Sequence, residues 1–229
     1  MEPLQYTSLV SMFFATCSRD DFGGWYKRTD GQWLHYSRDF LRDSAINLSI
    51  ALNNRGLKPH DSVSIIAPSS PEWFIADIAT QINHAQVAPL FSNISSENFT
   101  FQCDDSGAQI LFVNTIAELD EPLHKFLPRF KLIICINPAS ELPENGIYWN
   151  NLIDEGKDLA ESNRYFSWVD DQIQSIRPDD LFSIIYTSGS LGSPKGVDLS
   201  QRNMLAQIQN LVELFPLNSE EDVCLTILP

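Results

Sequence analysis

The chain has 229 residues, 43% of them hydrophobic, which is enough to bury a core as one large domain or two small ones. Thirty acidic against fifteen basic residues leave a formal charge of -15. That balance excludes a broad nucleic-acid-binding surface and electrostatic docking on anionic lipid, both of which need clustered Lys and Arg.

The acid surplus reads as the solubilising surface of a cytoplasmic protein. Cys17, Cys103, Cys135 and Cys224 are far apart, with no CxxC pair and no His at ligand spacing. Free thiols in a reducing compartment are expected, and neither a disulfide framework nor a zinc site. Near the amino terminus, Glu2 has the wrong sign for a signal peptide, and the apolar patch from Leu9 to Ala15 is too short to span a bilayer. The patch predicts a short amphipathic helix docked on the core; a helix in weak peripheral contact with a membrane is the alternative.

Asp30-Gly31 between the aromatic-rich runs 24–28 and 33–36 signals a hairpin. Ser37 then caps a helix whose apolar stripe runs through Phe40, Leu41, Ala45, Leu48, Ala51 and Leu52, with Gly56 as its stop. From there strands and helices alternate. Residues 63–67 read as a strand. Ser70-Pro71-Glu72 opens a helix to Ile82, and Ala85 to Leu90 is a second strand. A helix from Ser95 to about Asp105 stops at Gly107, and Gln109 to Val113 is a third strand. Leu119 to Phe126 is expected to be helical and Lys131 to Ile136 a fourth strand. Trp149 to Ala160 predicts a short helix, whereas the polar stretch 162–178 is expected to cross the surface. Near-continuous apolar strands separated by helices predict an α/β fold: a mostly parallel sheet with helices on both faces.

Behind the apolar block 181–185 comes Tyr186-Thr-Ser-Gly-Ser-Leu-Gly-Ser-Pro-Lys-Gly-Val197. Glycine and serine there let backbone N–H groups converge on an anion. The hydroxyls of Thr187, Ser188 and Ser190 are donors for phosphate oxygens, Lys195 brings the neutralising charge, and Pro194 stiffens the turn before it. A plain hairpin needs two to five connecting residues and this stretch has about nine. It is not a Walker A loop, because Pro194 stands where the second glycine belongs and Gly196 follows the lysine. Val197-Asp198-Leu199 reads as a return strand, with a helix from Met204 to Phe215 after it. The loop is therefore expected to be a mobile flap between two strands.

This stretch closely resembles the phosphate-binding signature of the adenylate-forming (acyl-activating, AMP-binding) superfamily, Tyr-Thr-Ser-Gly-[Ser/Thr]-Thr-Gly-x-Pro-Lys-Gly-Val. Flanking stretches, among them Asp30-Gly31-Gln32-Trp33, Gly56 to Val63, Pro71-Glu72-Trp73 and Asp105-Ser106-Gly107-Ala108, are similar to bacterial long-chain fatty acyl-CoA synthetases. The resemblance covers nearly the whole chain. It implies a two-step reaction in which a fatty carboxylate attacks the α-phosphate of ATP with Mg²⁺, and CoA thiol then displaces AMP. It also implies nucleotide binding by Thr187, Ser188, Gly189, Ser190, Gly192 and Lys195. The glycines would allow close approach, and the cation would meet charge developing on pyrophosphate.

Two departures stand out. Leu191 occupies the place of a Thr donor in the signature, which predicts some impairment of ATP binding or turnover. In the family the strand ending at Leu228-Pro229 leads into the adenine, ribose and acyl contacts and a carboxy-terminal domain with the catalytic lysine. The expectation is an incomplete amino-terminal adenylation domain, truncated, with no catalytic residue of its own and inactive alone. The competing readings are an enzyme that loads a carrier protein or activates an aryl or amino acid, and a degenerate, non-catalytic binding module.

Overall fold

The central strands send alternate side chains to opposite sides, and this alternation decides the architecture. A computed structural model of the chain describes residues 6–138, 141–162, 164–165, 167–187 and 194–215. Strands β3 (Ser62–Ile66), β5 (Ala108–Val113) and β6 (Leu132–Cys135) lie side by side in parallel. Val63, Ile65, Ile110, Phe112, Leu132 and Ile134 enter one apolar cluster. Ile66, Leu111, Val113, Ile133 and Cys135 enter another on the opposite face. A sheet buried on both faces needs apolar residues at successive positions, which is why these strands read as unbroken apolar runs.

With β4 (Gln86–Pro89), β7 (Gly146–Tyr148), β8 (Leu181–Thr187) and β9 (Lys195–Ser200), the sheet has seven strands in the order β7-β6-β5-β3-β4-β8-β9. All neighbours are parallel except β8 and β9. The expected α/β class with a mostly parallel sheet is the one found. A separate hairpin of β1 (Trp25–Thr29) and β2 (Gln32–Tyr36) turns at Asp30 and Gly31, both with positive φ, as the Asp-Gly pair predicts.

Helices α1 (Leu9–Cys17), α2 (Arg38–Asn54), α3 (Pro71–Ile82), α6 (Trp149–Ala160) and α7 (Trp168–Ser175) fill the first cluster. Helices α4 (Ser96–Ser106) and α5 (Glu121–His124) cover the second. The last described helix, α8 (Gln201–Leu214), follows β9 directly. Hydroxyl caps set the starts: Ser8, Ser37, Ser70, Ser95 and Ser200 each accept a bond from the backbone N–H three residues on. Gly107 ends α4 in the left-handed conformation. Cys17, Cys103 and Cys135 are buried free thiols, each pushed up to about 11 by burial. Cys224 lies outside the described residues. Among the described residues no helix is long and apolar enough to cross a membrane.

Three segments differ from expectation. The stretch from Leu119 to Phe126 is not one helix. It contains the four-residue α5 between 3₁₀ turns at Ile116–Glu118 and Leu127–Arg129. Pro128 cannot donate an amide to a continuing helix, so the chain closes in short turns. The polar stretch 162–178 contains α7, which sends Val169 into the core, with Tyr165 and Ile176 beside it. Strand β7 was not anticipated, since three residues are too short to show an alternation.

Helices α2 and α6 cross closely at Gly156. A Cβ there would sit 1.8 Å from the Asn47 carbonyl oxygen and 2.5 Å from its carbon. Alanine is the better helix former by about 1 kcal/mol, but a backbone-to-backbone clash of this kind has no soft side chain to yield. Gly156→Ala is expected to be net destabilising by about 2 kcal/mol or more. In urea unfolding the midpoint should fall with an unchanged slope, and an unchanged or higher midpoint would refute this close approach.

Candidate functional site

Because β8 runs parallel to β4, its carboxyl end at Thr187 lies at the edge where β3, β4, β5 and β6 also end. In open α/β sheets ligands sit at this edge. Strand β9 returns antiparallel in the register Ile184↔Asp198, Ile185↔Val197, Tyr186↔Gly196 and Thr187↔Lys195. The last pair closes the loop 188–194. Cross-strand partners share a face, so Thr187 and Lys195 stand together on one side of the hairpin. Both are exposed. Of the residues singled out in the sequence, these two are brought onto one rung; Ser188, Gly189, Ser190, Leu191 and Gly192 lie outside the described residues.

Tyr186 and Gly196 occupy the opposite face of the hairpin, against α4. The Tyr186 hydroxyl donates to Asp105 Oδ2 at 2.8 Å, and its ring meets Phe101 edge-on with centroids 6.3 Å apart. Burial first, and the Asp105 carboxylate second, push the hydroxyl well above the usual tyrosine range, so it stays a donor. A Cβ at Gly196 would lie 3.0 Å from Ile184 Cγ2, 3.2 Å from Tyr186 Cε1 and 3.4 Å from Asp105 Oδ2. The two tighter contacts lie within the hairpin, so glycine before Val197 gives room to the Ile184 and Tyr186 side chains of the paired strand. Beside this contact opens a cleft of about 1200 Å³, lined by Phe101, Asp104 and Asp105 of α4, by Lys125 and Phe126, and by Pro194 on the return of the loop.

The other end of the hairpin is bound into the core. Ser183 Oγ donates to the Val87 carbonyl at 2.8 Å. Ser200 and Asn203 form a reciprocal cap at the start of α8. A buried polar chain then runs inward: Leu9 N–H donates to Gln201 Oε1 at 2.9 Å, and Gln201 Nε2 donates to Gln81 Oε1 at 2.8 Å. One turn before Gln81 lies Asp77, only 4% exposed. Burial pushes its carboxyl up to about 7, with Gln81 offsetting part of the shift. Asp77 Oδ1 and Gln81 Nε2 nonetheless make no hydrogen bond. His84 holds the approach to β8, with Nε2 3.1 Å from Ser175 Oγ and Nδ1 3.7 Å from Asp180 Oδ2.

A hydroxyl facing an ammonium on one rung suits a phosphate oxygen, and Thr187 adds a hard oxygen of the kind Mg²⁺ accepts. Asp198, the acid in β9, pairs with Ile184 three rungs below Lys195, so the described rung fits an ion that arrives on the phosphates.

The pattern that defines the AMP-binding enzyme family matches residues 21–229. The chain belongs to this family. Over 193 residues it is 30% identical to the long-chain-fatty-acid–CoA ligase ACSBG2 of Gallus gallus, covering 80% of this chain and 24% of that protein. The chain is 29% identical over 182 residues to the long-chain-fatty-acid–CoA ligase ACSBG1 of Bos taurus, again covering 24% of the relative. It thus spans about a quarter of the length of the curated relatives it matches. The fold is shared with acetoacetyl-CoA synthetase from Streptomyces lividans, at a TM-score of 0.71 and 19% identity over 90% of this chain and 32% of that one.

Sequence reasoning missed two supports of the hairpin. The Asp105–Tyr186 bond joins residues 81 apart. The Gln201–Gln81 bond joins residues 120 apart. Neither pair has a local signal. The buried Asp77 carboxyl gives a pH signature. Unfolded, the Asp77 carboxyl has its ordinary value of 3.8; folded it lies near 7, so its neutral form is favoured in the native state. Stability from this group is whole below pH 4 and is lost as pH rises through 7, at about 1.4 kcal/mol per unit. Asp77→Asn keeps the shape and cannot ionise. It is expected to exceed the parent by about 2–4 kcal/mol at pH 8 and to match it at pH 4, in urea midpoints taken across that range. A difference that does not change with pH would refute a native-state shift.

Proposed function

We propose that the loop closed by Thr187 and Lys195 grips the phosphates of ATP·Mg²⁺. In the protein to which this chain belongs, it would serve activation of a long-chain fatty acid to acyl-adenylate and then to acyl-CoA. The observation that carries the reading is the Thr187↔Lys195 rung at the carboxyl edge of a parallel sheet, in a chain of the AMP-binding enzyme family. The acid and the thiol acceptor are those in the names of relatives about 30% identical.

The first step makes a bond between a carboxylate oxygen and the α-phosphorus of ATP and breaks the bond to the β-phosphate bridge. Pyrophosphate leaves with the electron pair. The residues of this chain act on the leaving group. The ammonium of Lys195 offsets charge growing on it, and the hydroxyls of Thr187, Ser188 and Ser190 donate to its oxygens. Gly189 and Gly192 keep side chains out of the way, so that backbone N–H groups approach the phosphates. Mg²⁺ arriving with ATP would supply further charge neutralisation. Leu191 adds bulk and no donor. In the second step CoA thiolate attacks the acyl carbon and AMP departs; this chain's role there is to hold the nucleotide.

Calorimetric titration with ATP·Mg²⁺ tests the proposal. Binding by this chain alone is expected to be weak, and low-micromolar affinity would contradict that expectation. Lys195→Ala should reduce affinity about tenfold or more, the size of one charge-assisted hydrogen bond of about 1.5–3 kcal/mol, with an unchanged melting midpoint. Leu191→Thr should tighten binding. Equal affinity of the parent and Lys195→Ala would sink the phosphate assignment.

A further inference from the structure

The β8–β9 hairpin is held to the sheet by packing as well as by ladder bonds: Ile184 and Tyr186 form a small buried cluster with Ala88 of β4, with Phe101 packed against it. Its strand β9 has β8 on one side and no described strand on the other. Strand β8 joins β4 through a single pair, Val87↔Ser183, four residues before Thr187. Above that pair β4 ends at Pro89, which has no N–H to give. The stretch from Ile184 to Thr187 therefore rises toward the loop without a ladder on its inner side.

At that height the contact with α4 takes over. The Tyr186 hydroxyl reaches Asp105 Oδ2 at 2.8 Å, next to the residue that opens the loop. Its ring is set against Phe101, and Gly196 faces it across the hairpin. The helix beneath is itself fixed. Ser95 caps its start, and Phe99 and Cys103 are fully buried in the second core cluster. Asp105 thus stands on a core-packed helix and accepts from a donor on a strand that has a single ladder pair to β4. A carboxylate acceptor makes that bond stronger than a neutral one.

We propose that Asp105 is a positioning residue for the Thr187–Lys195 rung: through Tyr186 it fixes the open end of the hairpin against α4, so that Thr187 and Lys195 meet a phosphate at a set height. The consequence for phosphate rests on the function proposed above; the tether itself does not. Asp105 touches no reacting atom and acts through Tyr186 alone.

The test compares the parent chain with Asp105→Ala, Asp105→Asn and Tyr186→Phe, reading hydrogen exchange and ATP·Mg²⁺ affinity on each. Asparagine keeps an acceptor oxygen for the tyrosine hydroxyl, and phenylalanine keeps the ring packing. Amides of 184–187 and 195–198 should exchange about tenfold faster in the Ala and Phe variants, with those of β5 and α2 unchanged. Affinity for ATP·Mg²⁺ should fall about tenfold in the same two variants, stay within about threefold of the parent in Asp105→Asn, and fall no further in the double variant Asp105→Ala/Tyr186→Phe. Three results would overturn the proposal: exchange and affinity equal to the parent in the Ala variant, an Asn variant as impaired as Ala, or faster exchange spread through β5 and α2. If the parent binds no nucleotide, the phosphate reading fails, and the hairpin exchange rates still decide the tether.

Discussion

A single parallel pair, Val87↔Ser183, with the Ser183 hydroxyl bonded to the Val87 carbonyl, joins the β8–β9 hairpin to the rest of the sheet. It sets β8 parallel to β4, and so puts Thr187 at the ligand-binding edge. It also leaves the upper part of β8 free of the β4 ladder. Under the proposed function, a loop that takes up a polyphosphate needs N–H groups that are not already paired within a sheet. The chain anchors the hairpin low, through Ser183 and the buried Gln201–Gln81 bond, and steadies it high, through Tyr186 and Asp105.

The anchoring has a cost that the fold carries elsewhere. Asp77 is buried without a full set of partners, beside a polar chain that runs from the first residue of α1 to α3. Buried polar groups of this kind favour one arrangement of the elements at the expense of stability. Here the arrangement they select joins α1, α3 and α8, and α8 is the continuation of β9. The acidic surface works in the same sense. With a formal charge of -15, the long-range field disfavours anions, so under the proposed function nucleotide affinity would come from short-range donors and the Lys195 ammonium.

Much of the fold was legible because each signal was local. Continuous apolar strands between capped helices gave the class, Ser70-Pro71 and Ser95 marked helix starts, Gly107 marked an end, and Asp30-Gly31 marked a hairpin. The return strand after Lys195 was legible too, because a second apolar-polar alternation follows the loop. What escaped was set by long-range packing. Helix α7 sits in a stretch whose polar residues outnumber the few that dock, Val169 and Ile176. The Asp105 tether joins a residue at the end of one helix to a tyrosine whose neighbours already had a reading of their own. Loop residues could be named from the sequence, but the rigid partner that holds their flanks is visible only where α4 and β8 meet.

The central claim is that Lys195 faces the terminal phosphates of a bound nucleotide. An adenosine polyphosphate carrying a pyridoxal aldehyde on its last phosphate would test it directly: form the imine on the intact protein, reduce it, and map the modified lysine by mass spectrometry. The account predicts that Lys195 is labelled and that excess ATP·Mg²⁺ protects it. Labelling at Lys27, Lys58, Lys125, Lys131 or Lys157 in its place, or labelling of Lys195 that ATP·Mg²⁺ leaves untouched, would contradict it.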